Sequence, residues 1–446
     1  MRGIFKKIIV WILQAEAKAV LRKYKPKVVA ITGSVGKTST KDAVYAVLSK
    51  KYHVRKSEKS FNSEVGVPLT ILGLGNAWGN PLHWLQNIID GLSLIVTRRP
   101  YPEWLVLEVG ADRPGDIRSL AGWIKVDVAI ITRLPEVPVH VEFFDSVEAV
   151  IEEKASLMDA VRPGGAILLY ADDERTRGLE KRLPAPDAKI VLFGFHDETD
   201  VWVHKFEVIR EDGGHNWPIG MRATITVEEE SAPVQIIGSL GQHAFLPAVA
   251  AAAAGHVLGV SLPEIVAGLE SYDPPPGRVR LLPGIKDALV IDDTYNSSPA
   301  ASEAALSSLA LSVSKGRAPL DGSITLGRKI AALGDMMELG RVSVEEHRKA
   351  GAKAAKVCNI LITVGVRARD IAMGALDNGM KDENILQFED AGKAAQEIQN
   401  MLKEGDAILV KGSQSMRMEK IVEEIMLEPN RAGELLVRQD REWKKR

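Results

Sequence analysis

The sequence predicts an α/β protein made of two doubly wound units, the first built around a phosphate-binding loop. Three observations carry this. A strand-like run, Val28 to Ile31, leads through I-T-G-S-V-G-K-T-S-T at 31–40 into a helix-like stretch from Lys37 to Leu48. Short apolar runs then alternate with helical stretches to about residue 240, and the alternation restarts after residue 279. Between them lies D-P-P-P-G-R at 273–278, a triple proline closed by glycine that breaks any regular element and reads as a stiff linker. The expected divisions are a leader at 1–27, a central unit at 28–275 and a C-terminal unit at 279–446.

The leader carries eight Lys/Arg against one Glu, a net +7 in a chain of net charge −2. Ile4, Phe5, Ile8, Ile9 and Ile12 fall near one helical face, with Trp11 at its border and Lys6 and Lys7 beside it. The run I-I-V-W-I-L at 8–13 is too short to span a bilayer, and no small-residue cleavage site follows it. Two readings stand: a basic amphipathic helix at residues 1–25 on an anionic membrane surface, or a helix packed on its own domain or a partner.

In the central unit, V-V-A-I at 28–31, W-L-V-L at 104–107, V-A-I-I at 128–131, A-I-L-L-Y at 166–170 and I-V-L-F at 190–193 read as buried strands of a mainly parallel sheet. Residues 201–210 and 221–238 alternate apolar with polar and read as solvated antiparallel strands. An alanine-rich helix follows at 248–258, then another from Leu262 with Ser261 as N-cap. After the linker, 288–293, 330–335, 360–365 and 407–412 each run apolar into a loop, as in a Rossmann-like unit. Ligands of such sheets sit at the carboxyl ends of the strands, where Asp292, Asp293, Asp335, Lys411 and Ser413 fall.

Hydrophobic content of 46% and charged content of 26% are those of an ordinary globular chain. The near-neutral charge supplies no global field toward nucleic acid. Cys358 is the single cysteine, which excludes a disulfide framework and a cysteine-based zinc site and fits the reducing cytoplasm.

The loop itself names a chemistry. Glycines 33 and 36 let Thr32, Gly33, Ser34, Val35, Gly36 and Ser39 turn backbone N–H groups toward one point, at a helix N-terminus that favours anions. Lys37 can reach terminal phosphates, and the Thr38 hydroxyl can ligate Mg²⁺. Glu108 ends the strand W-L-V-L-E, where an enzyme of this kind holds a metal ion or its water. His140 in a loop and Lys154 on a helix would, taken singly, be polar surface.

Taken together these positions resemble the Mur ligase family, ATP-dependent enzymes that add amino acids or a dipeptide to the peptidoglycan stem. The family pattern of T-G-x-x-G-K-T, Glu-x-Gly, a His-x-Glu loop and a helical lysine is met by Thr32 to Thr38, Glu108 with Gly110, His140 with Glu142, and Lys154. The resemblance implies ATP and two Mg²⁺, one between Thr38, Glu108 and the phosphates, the other near Glu108, His140 and a carbamylated Lys154. A carbamate would replace a repelling cation with oxygen ligands that Mg²⁺ prefers. The match runs from about residue 27 to 426. Its finer motifs are similar to the branch that adds D-alanyl-D-alanine: N-S-E-V-G-V-P-L-T at 62–70, E-V-G-A-D-R-P-G-D-I at 108–117, P-G-R at 276–278, D-D-T-Y-N-S-S-P at 292–299, L-G-D-M-M-E-L-G at 333–340 with His347, and V-K-G-S-Q-S-M-R-M-E at 410–419. By that resemblance Arg278 swings onto the γ-phosphate, Asp293, Tyr295 and Asn296 hold the nucleotide, and Asn62, Asp335, Lys411, Gly412 and Ser413 face the substrates.

Two departures are visible. The family's G-x-H-N-x-x-N helix entry reads G-Q-H-A-F-L-P at 241–247, with Ala244 and Pro247 in place of both asparagines that help hold adenine. Members of the branch also begin with a domain of roughly a hundred residues that binds the UDP end of the nucleotide-sugar peptide substrate. Here about 27 residues precede the phosphate-loop strand, so the expectation is a basic leader standing where that domain would be. The resulting reading is an ATP-dependent amide ligase working through an acyl phosphate, with D-Ala-D-Ala as amine. A ligase for a different acceptor and a nucleotide-binding switch on the same scaffold are the alternatives.

Overall fold

The computed structural model describes residues 2–58, 61–138, 140–182, 187–212, 215–312 and 327–444. A nine-stranded sheet comes from the first part of the chain: β1 (Lys27–Thr32), β2 (Val54–Lys56), β3 (Trp104–Glu108), β4 (Val126–Ile131), β5 (Val161–Tyr170), β6 (Lys189–Gly194), β7 (Val201–Arg210), β8 (Pro218–Val227) and β9 (Glu230–Ile237). Their spatial order is β2-β3-β1-β4-β5-β6-β7-β8-β9, parallel through β7 and antiparallel across β7-β8-β9. The second sheet holds β10 (Arg280–Pro283), β11 (Leu289–Asp293), β12 (Lys329–Gly334), β13 (Ile360–Val364), β14 (Ile385–Phe388) and β15 (Ala407–Lys411). Its order is β10-β11-β15-β12-β13-β14, parallel apart from β10. This is the predicted fold class. The short edge strands β2, β10 and β14 were not foreseen, because three or four half-buried residues carry too little pattern.

The central strands are apolar throughout because both faces are covered. Val29, Ile31, Trp104, Val106, Val128 and Ile130 pack toward α2 (Lys37–Leu48) and the alanine-rich helix Leu246–Val257. Val28, Ala30, Leu105, Leu107, Ala129 and Ile131 join the opposite core with α1 (Arg2–Tyr24), α3 (Gly66–Leu72) and α5 (Asp116–Ala121). Thus α1 is no separate leader. Its residues Ile9, Leu13, Ala17 and Val20 are buried in the central core, so the packed-helix reading describes this face. Ile8, read as part of the apolar face, and Trp11, read at its border, remain exposed.

Glu16 is also buried, on the face of α1 that meets α4 (Pro81–Val96), and neither carboxylate oxygen has a partner. Desolvation pushes its pKa from 4.5 up to about 7. The folded state therefore holds an extra proton between those values, and stability falls as pH rises through that window and stays reduced above it. Glu16→Gln is expected to raise Tm by a few degrees at pH 8 and to change it little at pH 4, measured by thermal melts.

Candidate active site

The phosphate loop sits between β1 and α2. Gly33 has φ +142°, and a Cβ there would lie 2.0 Å from Thr132 Oγ1. Gly36, at φ +87°, caps α2. Both positions require glycine. Thr132 Oγ1 donates to the Val35 carbonyl at 2.7 Å, and Ser34 N–H to the Arg133 carbonyl at 2.9 Å, so the loop is tied to the end of β4. Lys37 Nζ folds back onto the Gly33 carbonyl at 2.9 Å. Burial lowers its pKa, while the nearby Glu108 carboxylate opposes that shift.

Glu108 is 1% exposed at the end of β3, which pairs directly with β1. Its Oε1 accepts from Asn62 Nδ2 at 3.0 Å, whereas Oε2 is buried with no hydrogen-bond partner. An orphaned carboxylate oxygen beside a phosphate loop fits a cation. Asn62 thus positions Glu108, a part the sequence reading gave instead to substrate.

Lys154 lies on α6 (Val147–Ala155), 1% exposed. Desolvation first, then the positive charge of Lys37, pushes its pKa down to about 7; Asp112 and Glu153 oppose this. The adjacent Glu153 accepts from the N–H groups of Gly115, Ile117 and Arg118 at 2.9, 2.7 and 3.1 Å. It thereby clamps the start of α5, and the loop carrying Asp112, to the helix carrying Lys154. His140 adopts φ +68°. Its Nε2 is 3.6 Å from Asp112, and its Nδ1 is 2.5 Å from a carboxylate oxygen of Glu338 in the C-terminal part. Asp112 thus lies beside His140, and its charge acts on Lys37 and Lys154; sequence reasoning did not single it out.

The linker delivers Arg278. Gly277, at φ +70°, donates its N–H to the buried Asp292 at 3.1 Å and accepts from Tyr295 N–H at the same distance. The Arg278 guanidinium lies 3.9 Å from the Tyr295 ring centroid and donates to Thr38 Oγ1 at 3.4 Å. The C-terminal part is thus already in contact with the phosphate loop. Arg438, unnoticed in the sequence, holds this loop by donating to the Thr294 and Tyr295 carbonyls and to Glu419.

Two cavities flank the loop. One of about 620 Å³ opens beside Thr38, between Phe61, Trp78, Arg278, Tyr295 and the C-terminal residues 433–443. A narrower slot of about 120 Å³ runs past Gly36 and Ser39, between Tyr170, Phe195, Leu246 and Tyr272. Ala244 and Pro247 line this slot, as do Asp293 and Asn296. Tyr295 instead faces the larger cavity.

Several residues read as substrate-facing take other places. Lys411 lines the slot, pairing with Asp293 at 2.6 Å and the Asn296 carbonyl at 2.9 Å. Burial lowers the lysine and raises the aspartate, each opposed by the other's charge. Ser413 is buried and accepts from Met337 N–H; Asp335 accepts from Ala368 N–H. A Cβ on Gly412 would meet Met418 at 2.6 Å. Such loops need their backbone donors satisfied, and these side chains do that.

Family models match both sheets: the Mur ligase middle domain over residues 31–80 and 85–255, and the Mur ligase glutamate ligase domain over 277–414. The chain belongs to the Mur ligase family. Among its relatives, a UDP-N-acetylmuramoyl-tripeptide–D-alanyl-D-alanine ligase of Bacillus subtilis is 29% identical over 420 residues, covering 94% of this chain and 79% of the relative. The solved structure of MurF from Thermotoga maritima in complex with ADP superposes with TM-score 0.72 at 25% identity, covering 93% of this chain and 83% of that one. MurF from Acinetobacter baumannii, 24% identical over 92% of this chain and 79% of its own, shares the fold with TM-score 0.71. In this Mur ligase, Arg278→Lys keeps the charge but loses the planar stack on Tyr295. Its kcat is expected to fall about 100-fold with Tm little changed, checked by steady-state phosphate release.

Proposed function

We propose that the protein is an ATP-dependent amide ligase that joins D-Ala-D-Ala to a muramoyl-tripeptide carboxylate through an acyl phosphate. The observation that carries this is Lys154, buried on α6, where desolvation and the charge of Lys37 beside the phosphate loop push its pKa down to about 7. A neutral amine adds to CO₂, giving a carbamate and a proton, and a nucleotide-binding switch has no use for one. The relatives' names supply the substrates, and the ADP bound by the Thermotoga protein supports ATP.

The narrow slot takes the base, and the larger cavity takes the acceptor. The acceptor carboxylate attacks the γ-phosphorus, ADP leaves, the incoming amine attacks the acyl carbon, and phosphate departs as the amide forms. Lys37 and Arg278 neutralise charge on the phosphates, so the protein's contribution is positioning and electrostatics. Two Mg²⁺ would be held by Thr38 and Glu108, and by Glu108, His140 and carbamylated Lys154, and would screen the phosphate charge. For His140 this requires exchanging its contact with Glu338. Closure of the units 28–275 and 279–446 about the 273–278 linker assembles the site. We place the reaction in the cytoplasm, where ATP is available.

The test is phosphate release from ATP with a muramoyl tripeptide and D-Ala-D-Ala, read together with the mass of the amide product. Release that needs both partners, with the amide mass present, is expected. ATP hydrolysis indifferent to both, with no amide, overturns the reading in favour of a switch.

A further inference from the structure

Helix α4 has two apolar faces. Trp84, Asn87, Ile88 and Gly91 form the inner one, with Gly91 so close to Glu16 of α1 that a Cβ would lie 2.2 Å from its carboxylate. Leu82, Leu85, Ile89, Leu92 and Val96 form the outer one, spaced 3, 4, 3 and 4 residues apart along a single stripe. All five are exposed, Leu82 by 75% and Val96 by 82%. Next to α4, α1 leaves Ile8 and Trp11 exposed, and Trp78 lies just ahead of α4. So half of the sixteen large apolar side chains exposed among the described residues belong to this one corner.

The corner is also basic. Lys6, Lys7, Arg22 and Lys23 on α1, and Arg98 and Arg99 after α4, are exposed, whereas the chain as a whole is slightly acidic. Lys23 caps the far end of α4 through the carbonyls of Leu94, Ile95 and Thr97, which ties the C-terminal ends of the two helices together. No helix among the described residues is long and apolar enough to cross a membrane. An apolar stripe edged by cations and tryptophans, on a helix too short to span, has the chemistry of a surface that lies in the headgroup region. A second copy of the chain would bring the same cations face to face, which a two-fold pairing disfavours.

We propose that the outer face of α4, with Ile8 and Trp11 of α1, docks on an anionic lipid bilayer. The docked face is continuous with the larger cavity, because Asn76 and Trp78, just before α4, line it. The docking does not depend on the ligase reading, since lipid binding is scored without turnover.

The experiment is flotation of the full chain with vesicles of phosphatidylcholine alone or with roughly one-third phosphatidylglycerol. Binding is expected on the anionic vesicles, at least about tenfold stronger than on the neutral ones and weakened by salt. Tryptophan fluorescence of the unmodified protein should be quenched by brominated lipid in those vesicles. The triple variant Leu85→Glu, Ile89→Glu, Leu92→Glu should lose at least about tenfold in binding while keeping its circular dichroism. No binding to either vesicle, or equal binding by the folded triple variant, overturns the proposal. So does a concentration-dependent dimer that the triple variant abolishes, without vesicle binding. Should the triple variant fail to fold, quenching and salt dependence of the unmodified protein decide.

Discussion

Lys154→Ala is expected to abolish turnover, by about 10³-fold or more, and added bicarbonate should not restore it. The lysine is buried, its amine is pushed down to about 7, and Lys37 contributes to that depression. Only the neutral amine reacts with CO₂, so the modified fraction should grow as pH rises through 7. The unsubstituted enzyme should accordingly lose activity toward pH 6 and regain part of it there when bicarbonate is added. Phosphate release at pH 6 and pH 8, with and without bicarbonate, checks both statements. Near-normal turnover by the alanine variant would remove the carbamate from the mechanism.

Glu108→Gln should lower kcat by about 10²–10³-fold and raise the Mg²⁺ concentration needed for half-maximal rate. The change is isosteric, and the amide oxygen can still accept from Asn62 Nδ2. What it removes is negative charge at Oε2, the buried oxygen without a hydrogen-bond partner. A Mg²⁺ titration of the variant is therefore the informative measurement. An unchanged metal requirement with reduced kcat would mean that Glu108 serves Lys37 rather than a metal ion.

The sequence made the phosphate loop legible because a strand, two glycines and a Lys-Thr pair must be contiguous to work. Glu108 was legible because its strand is apolar up to the acid. The partners that complete the site were not. Glu153 sits in E-E-K on a helix, a pattern that also describes a solvated surface; its three captured N–H groups come from residues 35 to 38 positions away. The pairing of Lys411 with Asp293 spans 118 residues, and strand-end position alone cannot tell a buried ion pair from a substrate contact. Arg438 lies in a C-terminal stretch without periodicity. Helix α4 is apolar nearly all round, which normally marks a fully buried helix, and only the tertiary arrangement reveals its outer stripe. For α1 the pattern gave a helix, but its neighbours decided which side went inward.

The far wall of the larger cavity comes from residues 433–443, anchored through Arg438 to the loop that also bears Tyr295. Proteolytic loss of the chain beyond residue 432 would remove that wall and the Arg438 anchor of the Tyr295 loop, yet leave the phosphate loop from Gly33 to Thr38 in place. Clipped preparations would then squander the nucleotide, because a mixed anhydride formed in an open chamber meets solvent before it meets an amine.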